Sequence, residues 1–211
     1  MSFFNSLKKK RKALSLSRLK LKLFMPLSVI NSVQMFYNSL CKGELNVNEY
    51  ARYFNGYPST IVEQALQLIS DNRLKSYLLK KYPKAHDITT DKLLYQYATD
   101  FKKQYLKNAP SFGRAAFRKQ GDMVTNALGT HTYRMQGKTR KHDLAINSDL
   151  LLAPEPLLKA LVVHELAHFK EKDHNKAFYK LCCHMEPDYH QLELDLRLFC
   201  VAVAMGENPY V

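Results

Sequence analysis

Residues Val162–His174 read VVHELAHFKEKDH, with three histidines and a glutamate set into an apolar helical pattern. His164 and His168 stand four apart, so on a helix both imidazoles share one face, about 6 Å apart along the axis. Two rings so placed can converge on one divalent ion at bond lengths of about 2.0–2.1 Å, the range zinc prefers; other divalent ions also fit such donors. Glu165 projects about 100° further round the helix. That is too far round for an easy ligand on the same axis, but within reach of a water at the metal. His174 follows after FKEKD, and the chain must turn to bring it back as a third ligand. Three protein ligands keep one coordination position open, as catalytic rather than structural sites do. The chemistry to expect is attack by an activated water, with Glu165 as general base. The bland alternative is a solvated helix face rich in histidine, and the fixed spacing within an apolar run argues against it.

The elements that must position these groups follow from periodicity. Leu157, Leu161, Val162, Leu166 and Phe169 line the helix that carries the motif. A second helix is expected over about Asn175–Met185, stopped by Pro187, and a third over Tyr189–Met205. Upstream, residues 27–42 read as a short helix ending at Gly43. GYPSTIVEQALQLIS opens another, with Thr60 and Glu63 spaced as a capping box. NRLKSYLLKKYP continues helically, and TTDKLLYQYATDFKKQYLKNAP is a long amphipathic helix with Leu94, Tyr97, Phe101 and Tyr105 on one face. Between Ser111 and Ser148, glycines punctuate short β-branched segments, which predicts a small antiparallel sheet whose last strand is HDLAINSDL. Helices, a small sheet and helices again make the fold class α+β.

Composition sets the bounds. At 211 residues, 46% apolar and 24% charged, the chain is globular and long enough to bury a core. It has no apolar run of membrane-spanning length, and a soluble protein is expected. Cys41, Cys182, Cys183 and Cys200 form no disulfide framework, which fits a reduced, cytoplasmic setting. The net charge of +13 is concentrated in residues 1–25, which hold eight basic residues and no acid. This leader reads as a poorly ordered, solvated extension able to meet nucleic acid or an anionic membrane. We divide the chain into a basic extension with a short helix, residues 1–50, and a catalytic domain, residues 51–211.

Outside the motif the signals are weaker. His131, in GTHTY, suits an oxyanion stabiliser if its strand reaches the site, and suits a plain strand histidine equally. His86, His142, His184 and His190 read as surface or packing residues, Cys182 and Cys183 as buried thiols, and Tyr179 as core.

LLLAPEPLLKALVVHELAHFKEKDHNKAFYKLCCHMEPDYHQLELDLRLF, together with NALGTHTYRMQG and GYPSTIVEQALQLI upstream, resembles the YgjP-like metallopeptidase family over roughly Asn55–Phe199. The resemblance implies a zincin-like α+β fold, with His164, His168 and His174 as zinc ligands and Glu165 as base. It implies kinship with the Wss1-like and SprT-like metalloproteases. Where the wider family carries a tryptophan before its last strands, this chain has Leu128. Two substrates compete. The motif favours a peptide, which HDLAIN would bind by strand pairing. A family member described as a UTP pyrophosphatase implies a nucleoside triphosphate, converted to UMP and diphosphate. Lys138, Arg140 and Lys141, expected in the loop before the last strand, would then hold phosphates. A third reading makes the protein a nucleic-acid or membrane adaptor acting through its leader.

Overall fold

A computed structural model describes residues 47–119 and 128–211. The chain divides into two units, Met1–Asn46 and Val47–Val211, and the described residues belong to the second. The helix expected over residues 27–42 and the basic leader lie outside the described residues.

A 3-10 helix, Val47–Phe54, precedes α1, Ser59–Ser70. The capping box expected at Thr60 and Glu63 does not form. Pro58 is the N-cap and no side chain caps the helix. The Pro58 carbonyl accepts instead from Ile61 and Val62 at 3.0 and 3.1 Å, so Thr60 already lies inside the first turn. Asn72, in the left-handed region at φ 56°, separates α1 from α2, Leu74–Lys81. Asparagine tolerates that conformation better than most residues. α3 spans Asp91–Tyr105, and the Thr90 hydroxyl caps it by accepting from Leu93 N–H at 3.2 Å. Its buried face is Leu94 and Ala98, flanked by the half-buried rings of Tyr97, Phe101 and Tyr105.

Three strands follow: β1, Ser111–Arg118; β2, Gly129–Gln136; and β3, Thr139–Asn147. The sheet is mixed, a departure from the antiparallel arrangement expected. Its order is β1-β3-β2, with β2 antiparallel to β3 and β1 parallel to β3. Only the β2–β3 hairpin has a local signal, Gly137 at φ 61° in its turn. Alternation of side chains says nothing about the direction in which β1 joins. β1 is tied to α3, since the Asp91 carboxylate accepts from Phe117 N–H at 2.8 Å.

A 3-10 turn, Ser148–Leu152, leads into α4, Glu155–Ala167. Pro156 in the first turn sits where a missing N–H costs least. α4 is buried almost all round, with Leu157, Leu158, Ala160, Leu161, Val162, Val163, Leu166 and Ala167 inaccessible or nearly so. It is covered by α3, β2, α5 (Lys176–Met185) and α6 (Tyr189–Ala204). At roughly 1.5–3 kcal/mol per large buried side chain, this helix anchors the core. No described helix is long and apolar enough to cross a membrane.

One buried carboxylate joins the N-terminal helices to the C-terminal one. Asp195 on α6 is fully buried. It accepts from Tyr77 at 2.8 Å, Lys81 at 2.6 Å, Tyr82 at 2.5 Å and Gln191 at 3.1 Å. Asp195→Ala should destabilise the protein by about 3 kcal/mol, because buried donors lose their acceptor. Urea unfolding would show it as a lower midpoint with an unchanged slope.

Candidate active site

α4 delivers two of the three histidines. His164 lies in its last turn, and His168 is its C-cap. Beyond it the chain tightens, with Lys170 and Glu171 N–H both donating to the Ala167 carbonyl at 3.0 Å. Asn175 then caps α5 by accepting from Phe178 N–H at 2.9 Å. This turn returns His174 to the end of α4. One ligand atom from each of His164, His168 and His174 lies within 4.8 Å of the others. Atoms each about 2.1 Å from a single ion can be at most about 4.2 Å apart, and His164 Nε2 and His174 Nε2, at 3.0 Å, lie within that span. The fully buried ring of Phe178 is the floor, 4.9, 4.7 and 4.7 Å from the rings of His164, His168 and His174.

The outer nitrogens of two rings are already used. His168 Nδ1 is 2.9 Å from the Glu171 carbonyl, which can only accept, so Nδ1 is the donor of that bond. His164 Nδ1 is 2.7 Å from the Tyr189 hydroxyl, and its Nε2 is 3.0 Å from His174 Nε2. Burial, then the neighbouring His168 and His174 and the Arg197 guanidinium, push His164 down to about 3. Burial is also the first cause lowering His174. Neutral imidazoles with inward lone pairs are the donor set a divalent cation needs.

Glu165 is 4% exposed, and burial pushes its carboxyl up to about 8. β2 packs on this part of α4. At Gly129, the first residue of β2, an added Cβ would meet Glu165 Oε1 at 2.5 Å and its Cδ and Cγ at 2.9 Å. The glycine lets the strand backbone lie against the carboxyl.

His131 reaches the site. Its ring is stacked at 6.4 Å from that of His168, and its Nε2 is 2.5 Å from His142 Nδ1. Burial, then His142 and His168, push His131 down to about 4. His142 is itself buried, stacked on His131 and packed on Phe169. Of the three cations expected at the site, Lys138 lies apart from it and Lys141 stands on the sheet face opposite to that of His142. Lys138 is in the hairpin turn, while Arg140 and Lys141 belong to β3 rather than to a loop, because the strand starts at Thr139. Arg140 pairs with Met135 and Lys141 with Arg134. Since each strand residue advances about 3.3 Å, the turn lies roughly 17 Å or more from His131. HDLAIN, expected to receive a peptide, occupies the middle of the sheet with both edges paired.

Sequence reasoning missed Gly129, Phe178, Tyr189 and the partnership of His142 with His131. Phe178 and Tyr189 stand in AFY and PDY, segments that the family resemblance includes without assigning them a task.

The family described as "YgjP-like, metallopeptidase domain" matches residues 135–198. A curated protein of Escherichia coli named UTP pyrophosphatase is 48% identical over 160 residues, covering 74% of this chain and 96% of that protein. The chain belongs to the YgjP-like family. A comparison with solved structures finds no match. In this YgjP-like protein the family match takes in the whole histidine cluster but begins after Gly129 and His131.

Gly129→Ala should destabilise the protein by about 1–3 kcal/mol through overpacking. Combined with Glu165→Ala it should lose most of that penalty, since the atoms it strikes are gone. Equilibrium unfolding of the two single variants and the double variant measures the coupling.

Proposed function

We propose that the protein is a metal-dependent hydrolase in which His164, His168 and His174 hold a divalent cation, zinc foremost, and Glu165 is the general base. The observation that carries this reading is the inward convergence of three imidazoles beside a buried carboxyl. A divalent ion at such a site supplies a Lewis acid that acidifies the attacking water and, by its charge, draws the buried Glu165 carboxyl back toward ionisation. Glu165 accepts the proton of that water at a carboxylate oxygen and returns it to the leaving group. His131, beside His168, donates to the oxygen that gains charge. Phe178 keeps water from the back of the rings.

For the substrate we favour a nucleoside triphosphate, cleaved by water to a nucleoside monophosphate and diphosphate. The support is the 48% identity to a protein named UTP pyrophosphatase, over nearly all of its length. Arg197 on α6 brings a positive charge near His164, where it is paired with Glu193 at 3.5 Å. Lys138, in the distant turn, and Lys141, on the opposite face of the sheet, have no part in this version. A peptide is the second reading, favoured by one observation. β2 is an edge strand of the described sheet, exposed along much of its length, and packs on α4. An extended peptide would pair with β2 rather than with β3. The cytoplasmic setting and a hold of the leader on nucleic acid are separate proposals; deleting residues 1–25 should leave hydrolysis intact.

Purified protein should contain about one equivalent of metal and release diphosphate from UTP faster than it cleaves an unfolded protein. Glu165→Gln should keep the metal and lose turnover by about 10²–10⁴-fold. Undiminished turnover in that variant overturns the mechanism. A full equivalent of zinc on His164→Ala overturns the site, and cleavage of the unfolded protein alone decides for the peptide.

A further inference from the structure

Tyr189, the first residue of α6, is fully buried, and its hydroxyl meets His164 Nδ1 at 2.7 Å. The two rings are inclined by 25°, with centroids 6.4 Å apart. The turn before Tyr189 is clamped. The Glu186 carboxylate pairs with Lys159 Nζ at 2.5 Å and accepts from Asp188 N–H at 3.2 Å. The Glu186 carbonyl accepts from Tyr189 N–H at 3.0 Å. Lys159 stands on α4, the helix that carries His164. One acidic residue therefore fixes the phenol against the helix whose histidine it touches.

A neutral imidazole has one N–H and one lone pair. For His164 Nε2 to offer its lone pair inward, Nδ1 must carry the proton, and a buried N–H needs an acceptor. The phenol oxygen is that acceptor. Its own proton can turn toward the thiol of Cys182 on α5.

We propose that Tyr189 is a positioning residue for the metal. Its hydroxyl accepts from His164 Nδ1–H and so holds the tautomer whose Nε2 lone pair faces the other two rings. This deepens the metal-site reading above and rests on it. His168 is oriented by a backbone carbonyl that no substitution can delete, whereas the orientation of His164 depends on one side-chain oxygen.

Zinc affinity of the full-length protein, measured by competition with a chromophoric chelator, tests it. Tyr189→Phe should weaken zinc binding about 10–100-fold. Tyr210→Phe is the control. It removes another phenol hydrogen bond, to the Tyr82 carbonyl at 2.8 Å, and should leave the zinc Kd within about twofold. A Tyr189→Phe Kd within twofold of wild type overturns the proposal, as does an equal loss in both variants. Should Tyr189→Phe fail to fold, imidazole ¹⁵N shifts of His164 in the metal-free wild-type protein decide. A proton on Nδ1 supports the role of Tyr189, and a proton on Nε2 overturns it. A wild-type protein that binds no zinc defeats the metal reading, and the tautomer measurement still judges Tyr189 separately.

Discussion

A helix buried on nearly every side has to end in polar groups without leaving any of them stranded. That demand on α4 shapes the rest of the domain. Leu157, Leu158, Leu161 and Val162 sink it into the core, while its last turn presents His164 and Glu165. Each polar group meets a different neighbour. His164 has a phenol from α6, His168 a carbonyl from the turn that follows, and Glu165 the glycine backbone of β2. Burying an imidazole or a carboxyl favours its neutral form. Here burial lowers His164 and His174 and raises Glu165, so the neutral forms are favoured at the end of this helix.

Much of this was legible in the sequence because it is local. A spacing of four on a helix puts His164 and His168 on one face whatever surrounds them. The turn after FKEKD was expected because His174 needs it to come back as a third ligand, and Asn175 supplies the cap that starts the next helix. The boundaries of α5 and α6 came from Pro187 and the periodicity on either side.

What stayed hidden was non-local. β1 joins β3 in parallel, and no short segment encodes that direction. The middle place of β3 moved the open edge to β2 and removed HDLAIN as a partner for an extended ligand. Gly129 looks like a turn glycine in the sequence, and its contact with Glu165 exists only because β2 lies on α4. The Thr60–Glu63 pattern was a false local signal, since Pro58 is the N-cap and the helix starts at Ser59, one residue before Thr60. Tyr189 was one tyrosine among thirteen until the fold placed its hydroxyl on a histidine.

The acidic hub at Asp195 sets a lower limit on how small a working piece of this protein can be. The stretch that matches the family, residues 135–198, contains the histidines and Asp195. It omits Tyr77, Lys81 and Tyr82, three of the four donors on that carboxylate, along with Gly129 and His131. A fragment trimmed to that stretch would carry an anion in its interior with one donor left, and a base with no strand against it. Excision or grafting of the motif therefore has to bring α2 and β2 with it; the ligands alone are not a transplantable module.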